Sequence, residues 1–231
     1  MYTKWKDALA RVELFANIEI DELNRMLTCL CPSPQSYKKG EFIVLAGDEF
    51  TGVGIVVEGE VVVTKENAAG DKIILTKLSE GRIFGEMIAF SDKDQWLATV
   101  IAAADCTIYF LHPDKILGNC FKMCIGHSIL IENMIKIVSN RALLLNKQVE
   151  YLSLKSIRAK ISTYLLEQYN ELKEPIFNVP LKRKELAAFL NVSRTSLSRE
   201  IAKMKDEGII DFYKSTFKII RLEDLKESAT I

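Results

Sequence analysis

Residues 181–208 read LKRKELAAFLNVSRTSLSREIAKMKDEG, two short helical patterns separated by Asn191, Val192 and Ser193. In the first half Leu186, Ala187, Phe189 and Leu190 recur at helical spacing, and small Ala187 and Ala188 leave room for a second helix to cross closely. Asn tolerates the left-handed backbone that ends a helix, so Asn191 marks the stop, and Ser193 offers a side-chain oxygen to cap the next helix. The second half sets Leu197, Ile201 and Met204 on one face and leaves Arg194, Thr195, Ser198, Arg199 and Lys203 on the other, until Gly208 ends it. One face packs and one stays polar. Ser193, Arg194, Thr195, Ser198, Arg199 and Lys203 are of the types that bond phosphates and base edges. The stretch predicts a helix-turn-helix; the competing reading is a two-helix corner with a solvated charged face.

Outward from this stretch, residues 209–213 and 217–222 flank Lys214, Ser215 and Thr216 as a β-hairpin, which makes the motif a winged helix-turn-helix. Upstream, residues 157–172 form a helical pattern with Ile161, Tyr164 and Leu165 facing inward and Ser153 or Ser156 as its cap. Between Lys182 and Lys218 nine basic residues stand against five acidic ones, a local surplus suited to a DNA-binding module.

Further upstream, Ile131, Ile135, Val138, Ala142, Leu145, Val149 and Leu152 alternate spacings of four and three, a heptad seam along one long helix. Leu130, Met134, Ile137 and Leu144 form a second apolar stripe on the same helix. A helix apolar on two faces needs two partners: its own domain on one side, and the same helix of a second subunit on the other, in a two-fold homodimer. The plainer reading is a long helix packed only against its own domain.

Residues 4–30 read as helical, with Asp21 starting a short helix that Pro32 and Pro34 end. Then short Ile, Val and Phe runs alternate with glycine-bearing turns, at residues 42–45, 54–57, 61–65, 73–78, 98–103 and 106–111. Such regular spacing indicates an antiparallel barrel or roll. The expected class is α+β: an N-terminal antiparallel β-roll with flanking helices in residues 1–128, a dimerisation helix in 129–152 and the winged helix-turn-helix in 153–231.

The 231 residues are 48% hydrophobic, with formal net charge zero, so no chain-wide attraction to nucleic acid is implied. Charges interrupt the apolar residues of the N-terminal stretch MYTKWKDALARVELF, and no run of about 18 apolar residues occurs, so no signal peptide and no membrane partner are expected. Five cysteines without a regular framework fit a reducing cytoplasm. No phosphate-binding glycine loop, nucleophile elbow or histidine pair with metal-ligand spacing points to an enzyme, and no metal site is expected.

With roll, long helix and winged helix in this order, the chain resembles the Crp/Fnr family of bacterial transcription regulators over nearly its whole length. The resemblance rests on KKGEFIVLAGDEF, VVEGEVVV, GRIFGEMIAF and the ATV at residues 98–100 in the roll, and on NVSRTSLSREI in the second domain. It implies an effector-responsive homodimer on a palindromic double-stranded DNA operator, with RNA polymerase as a further partner. It also implies that Arg194, Ser198 and Arg199 contact DNA. Thr195 departs from the glutamate often found at its position, which puts the familiar half-site in doubt.

The resemblance further places the effector pocket at Phe84, Gly85, Glu86, Met87, Trp96, Leu97, Thr99, Leu145 and Asn146. Cyclic-nucleotide members hold the phosphate with an Arg-Ser pair, and here those positions are Trp96 and Leu97. A phosphate buried against them would have no counter-charge, at a cost of several kcal/mol, which argues against cyclic AMP. An apolar or aromatic small molecule, or haem, suits the lining; alternatively the side chains fill the space themselves, and Glu86 is a structural ion-pair partner. A ligand-binding roll that regulates a protein partner is the remaining alternative, against which the winged segment speaks. An iron-sulfur cluster in this family needs a cysteine set that Cys29, Cys31, Cys106, Cys120 and Cys124 do not supply. His112 and His127 fall at no position where the resemblance places a haem ligand.

Overall fold

The short apolar runs between residues 33 and 111 build two four-stranded antiparallel sheets in the computed structural model, which describes residues 6–30, 32–67, 70, 72–118 and 125–229. The strands are β1 (Ser33–Tyr37), β2 (Phe42–Val44), β3 (Val53–Glu58), β4 (Glu60–Glu66), β5 (Lys72–Ser79), β6 (Ile83–Phe84), β7 (Thr99–Ala102) and β8 (Cys106–Leu111). One sheet runs β1-β8-β3-β6 and the other β2-β7-β4-β5. β1 carries Pro34, which suggests a loop in the sequence; the strand forms because it lies at a sheet edge, where a missing N–H is tolerated. β5 is likewise outermost, with Ile73, Ile74 and Leu75 exposed and a register shift against β4 between Val63 and Thr64. Between the sheets Val56, Val61, Phe84, Trp96, Val100 and Ile108 form a hydrophobic core.

A second core lies on the outer face of β3 and β8, where α1 (Lys6–Leu9) and α2 (Ile20–Leu30) pack. Within the helical stretch expected over residues 4–30, a 3-10 turn at Glu13–Phe15 and Asn17, whose φ of 62° lets the chain turn, precede α2, which begins at Ile20, one residue before the expected Asp21. α3 (Glu86–Ala89) and α4 (Pro113–Leu117) follow β6 and β8, and α5 (Ile125–Ser153) is the long helix. Gly126 lets α5 start against Met26 and Glu22 of α2, with no room for a Cβ.

The chain divides into two compact units, Met1–Arg141 and Ala142–Ile231, with the boundary inside α5. Leu130, Met134 and Ile137 are buried in the first unit's core as the second stripe requires, whereas Leu144 is exposed, because it lies beyond that unit.

The second unit contains α6 (Ile157–Leu172), β9 (Ile176–Asn178), α7 (Arg183–Phe189), α8 (Arg194–Asp206), β10 (Ile210–Tyr213), β11 (Thr216–Ile219) and α9 (Leu222–Ala229). Of the two candidate caps, Ser156 takes the role, its Oγ accepting from the Ala159 N–H at 2.9 Å. The wing strand expected over 217–222 ends at Ile219, and Leu222 begins α9 instead, with the acidic Glu223 and Asp224 in its first turn. β9 joins the wing as a third strand, in the order β10-β11-β9.

Candidate nucleic-acid interface and sensor site

The helix-turn-helix corner is built from backbone outward. Asn191 takes φ 51°, the Val192 N–H donates to the Ala187 carbonyl at 2.9 Å, and the Asn191 N–H to Ala188 at 3.1 Å, so the last carbonyls of α7 are satisfied. The buried Lys160 of α6 adds its ammonium to the Leu190 carbonyl at 3.2 Å. Ser193 caps α8, accepting from the Ser196 N–H at 3.0 Å. Leu197, Ile201 and Met204 are fully buried, and Arg194, Thr195, Ser198, Arg199 and Lys203 are exposed along the opposite side of α8. Ser193 thus spends its oxygen on the helix, and the other five remain for a partner.

Two arginines outside the expected set hold this face in place. Arg158 of α6 donates to Glu200 at 2.6 Å and to Glu207 at 2.6 Å, clamping α8 near its middle and its end. The Arg158 hydrogen bond holds the Glu207 carboxyl below the usual range, and that same bond raises the arginine's pKa against the effect of burial. Arg183 lies over Phe212 and Phe217, at 5.2 and 5.3 Å from the ring centroids, and donates to the Lys214 carbonyl at 3.3 Å. Lys205 pairs with Asp211 at 2.6 Å. Part of the basic surplus therefore builds the wing. No sequence spacing signals these long-range pairs. At the wing's tip Tyr213 is 72% exposed with the Lys214 ammonium over its ring, a surface the helical pattern alone does not reveal.

In the first unit, Phe84, Gly85 and Trp96 come together inside the roll. Trp96 is 3% exposed, with ring centroids 4.8 Å from Phe50 and 5.8 Å from Phe84. Gly85 sits at φ 83° directly beneath it, where a Cβ would approach the indole to 2.7 Å. Leu97, its neighbour, points outward and is 52% exposed. Thr99 accepts from the Ala46 N–H at 3.1 Å. Met87 is exposed, and Leu145 and Asn146 lie on the part of α5 that belongs to the second unit, with Leu145 exposed.

Glu86 is 2% exposed and ion-paired through Oε1 to Arg141 of α5, whose other nitrogen donates to the Ile83 carbonyl at 3.0 Å. Arg141 also lies 3.9 Å from Glu13, which pairs with Arg82 at 2.9 Å. Arg141 is outside the expected set; the sequence points only to an ion-pair role for Glu86, not to its partner. Among the described residues Glu86 Oε2 has no hydrogen-bond partner.

Two cavities flank this region. One, of about 540 Å³, touches Trp96, Phe110, Ile43 and His112; the other, of about 310 Å³, touches Glu86, Met87, Met134 and Val138. His112 stands at the N-cap of α4, its Nδ1 3.4 Å from both the Asp114 N–H and the Asp114 carboxylate. His127 is buried at the start of α5. Cys29 is half-buried and Cys106 is buried in the roll, its thiol pKa pushed up by that burial; Cys31, Cys120 and Cys124 lie outside the described residues. Among the described residues no three His, Cys, Asp or Glu side chains gather to hold a metal ion, and no helix is long and apolar enough to cross a membrane.

Comparison with known proteins bears on both units. The model of the cyclic nucleotide-binding domain matches residues 34–121, and that of the Crp-like helix-turn-helix domain matches residues 159–228. The chain belongs to the Crp/Fnr family. Among its relatives, the Cyclic AMP receptor protein of Thermus thermophilus is 23% identical over 193 residues, 84% of this chain and 86% of the relative. The Probable transcriptional regulator flp of Lacticaseibacillus casei is 24% identical over 222 residues, covering 95% and 97% of the two chains. The crystal structure of the Thermus thermophilus Catabolite Activator Protein superposes with a TM-score of 0.54 at 22% identity, over 94% of this chain and 98% of that one, and shows the shared fold. At the two positions where the Crp/Fnr resemblance expects a phosphate clamp, this chain carries a core indole and an exposed aliphatic side chain, neither of which can donate to a phosphate as an arginine fork does.

Proposed function

We propose that this Crp/Fnr-family transcription regulator acts as a two-fold homodimer seamed along α5, setting two copies of α8 in successive major grooves of a palindromic operator, about 34 Å apart. The observation that supports it is the row of apolar side chains left in water on α5: Ile135, Leu145, Val149 and Leu152 are 61%, 49%, 63% and 53% exposed. With Ile131, Val138 and Ala142 they follow the heptad, and covering them stabilises association at roughly 25 cal/mol per Å² of apolar surface buried. Arg194, Ser198 and Arg199 read the operator, Arg199 gripping a guanine. Thr195 offers no carboxylate to accept from cytosine N4, so the half-site differs from that of glutamate-bearing members. RNA polymerase is the further partner and the cytoplasm the place of action.

The roll is the sensor, and the buried Trp96 supports a response to something other than cyclic AMP, with an apolar or aromatic small molecule as the effector class.

Arg199→Ala lowers operator affinity about ten- to a hundredfold, as expected for one bidentate base contact. Val149→Asp converts the dimer to monomer in sedimentation and lowers operator affinity with it. A gel shift in which Arg199→Ala binds as tightly as wild type overturns the base-reading role. A Val149→Asp protein that still sediments as a dimer overturns the seam.

A further inference from the structure

The polar groups at the start of α8 are not equally available to a partner. Ser193 and Ser196 bond each other, Oγ to Oγ at 2.8 Å, and Ser193 also caps the helix. The Glu200 carboxylate, the one acidic group in the first two turns, accepts from Arg158 at 2.6 Å and is only partly exposed. What faces outward from those turns is Arg194, Thr195, Ser198 and Arg199, whose side chains have no partner among the described residues. Leu197, Ile201 and Met204 mark the buried side of α8, and at about 100° per residue Thr195 and Ala202 fall on the opposite side, both exposed. Two short side chains thus form a shallow methyl-bearing strip between the longer Arg194, Arg199 and Lys203. Asp206, the next carboxylate on that side, lies roughly 16 Å further along the helix than Thr195. This face has donors for guanine O6 and N7 but nothing dedicated to accept from the amino groups of cytosine or adenine. Thymine is the base whose major-groove edge pairs an acceptor, O4, with a methyl group. Thr195 offers the complement of both, a hydroxyl donor and Cγ2.

We propose that Thr195 makes this chain select a thymine, with Cγ2 against the thymine methyl, within two base pairs of the guanine read by Arg199. The two residues stand one turn apart, about 6 Å along α8, which is under two steps of about 3.4 Å along a DNA strand. This role rests on the placement of α8 in the major groove proposed above, and it adds a second base to the half-site. Arg158 shares in the selection, because by holding Glu200 it keeps the nearest carboxylate away from the bases.

The full chain first enriches its site from duplexes carrying randomised palindromic half-sites. The enriched duplex is then remade with deoxyuridine in place of that thymidine, which removes only the C5 methyl, and both duplexes are titrated by gel shift. Deoxyuridine is expected to weaken wild type about fourfold per half-site, the worth of one buried methyl group, and about fifteenfold in both. Thr195→Val, which keeps Cγ2, should show the same penalty, and Thr195→Ser, which loses it, should bind the two duplexes within about twofold of each other. A binding-competent state that is only partly populated raises both dissociation constants by the same factor and leaves their ratio intact. An enriched site without thymine within two base pairs of the guanine, a wild type indifferent to deoxyuridine, or a penalty that survives in Thr195→Ser overturns the role of Thr195 and leaves base reading by Arg199 standing. A pool with no enriched sequence, or an Arg199→Ala protein that binds the enriched duplex as tightly as wild type, overturns the operator reading itself and the thymine beside Arg199 with it.

Discussion

Substituting Gly85 by Ala probes whether Trp96 fills the roll. Two costs arise. The backbone there has φ 83°, a conformation that costs an L-residue about 1–2 kcal/mol. The new Cβ would also lie 2.7 Å from Trp96 Cη2, 2.8 Å from Cζ3 and 3.1 Å from Phe50 Cε2. The indole cannot swing aside cheaply, because Phe50 and Phe84 hold it and it is almost wholly buried, so overpacking adds about 1–3 kcal/mol. Gly85→Ala is therefore expected to destabilise the roll by about 2–5 kcal/mol. In a Trp96→Leu background the clash with the indole disappears, and the same change costs the backbone part, about 1–2 kcal/mol, with only the looser Phe50 contact left beside it. Urea unfolding of the four proteins, followed by far-ultraviolet circular dichroism at fixed protein concentration, measures the difference as a coupling of about 1–3 kcal/mol. Equal costs in the two backgrounds would refute the reasoning, since the indole would then not be pressed against Gly85.

Arg158→Ala releases the end of α8 and shows its effect in a pH window. The folded-state pKa of Glu207 is lowered by the Arg158 hydrogen bond, so its contribution is complete above the ordinary carboxylate range and is lost as pH falls through the lowered value. The stability gap between wild type and Arg158→Ala should thus be constant near neutrality and close in acid; thermal melts across pH check this, and a gap that widens on acidification contradicts it. Arg141→Met leaves Glu86 as an unpaired buried carboxylate and is expected to cost about 3–5 kcal/mol, much of it recovered in Arg141→Met/Glu86→Met. Chemical denaturation of the three proteins measures it, and a double variant no more stable than Arg141→Met would show that the pair is not the source.

The helix-turn-helix is legible in the sequence because every signal in it is local. Asn191, Ser193 and Gly208 act on backbone within a few residues, and the Leu197, Ile201, Met204 stripe is one face of a single helix. β1 and β9 are not legible: each is short, bordered or interrupted by proline, and forms only because a long-range neighbour pairs with it. The clamps made by Arg158 and Arg141 are hidden for the same reason, their partners lying 42 and 55 residues away. At the candidate sensor site the Crp/Fnr resemblance puts Trp96 and Leu97 where cyclic-nucleotide members hold the phosphate, but does not show that the first is packed inward and the second faces solvent. Nor can it show where an unsatisfied oxygen is left.

The outermost strand β5 has a consequence for how this protein stays in solution. A strand with one open side and three successive exposed apolar residues, Ile73, Ile74 and Leu75, is a template for stacking into cross-β fibres. Lys72 and Lys77 bracket those residues as charged gatekeepers, and the bulge between Val63 and Thr64 adds local twist to a ribbon that would otherwise stack flat. Because the formal net charge of the whole chain is zero, general electrostatic repulsion gives little protection against aggregation, and the lysines and the irregular step of this hairpin act locally where that repulsion does not.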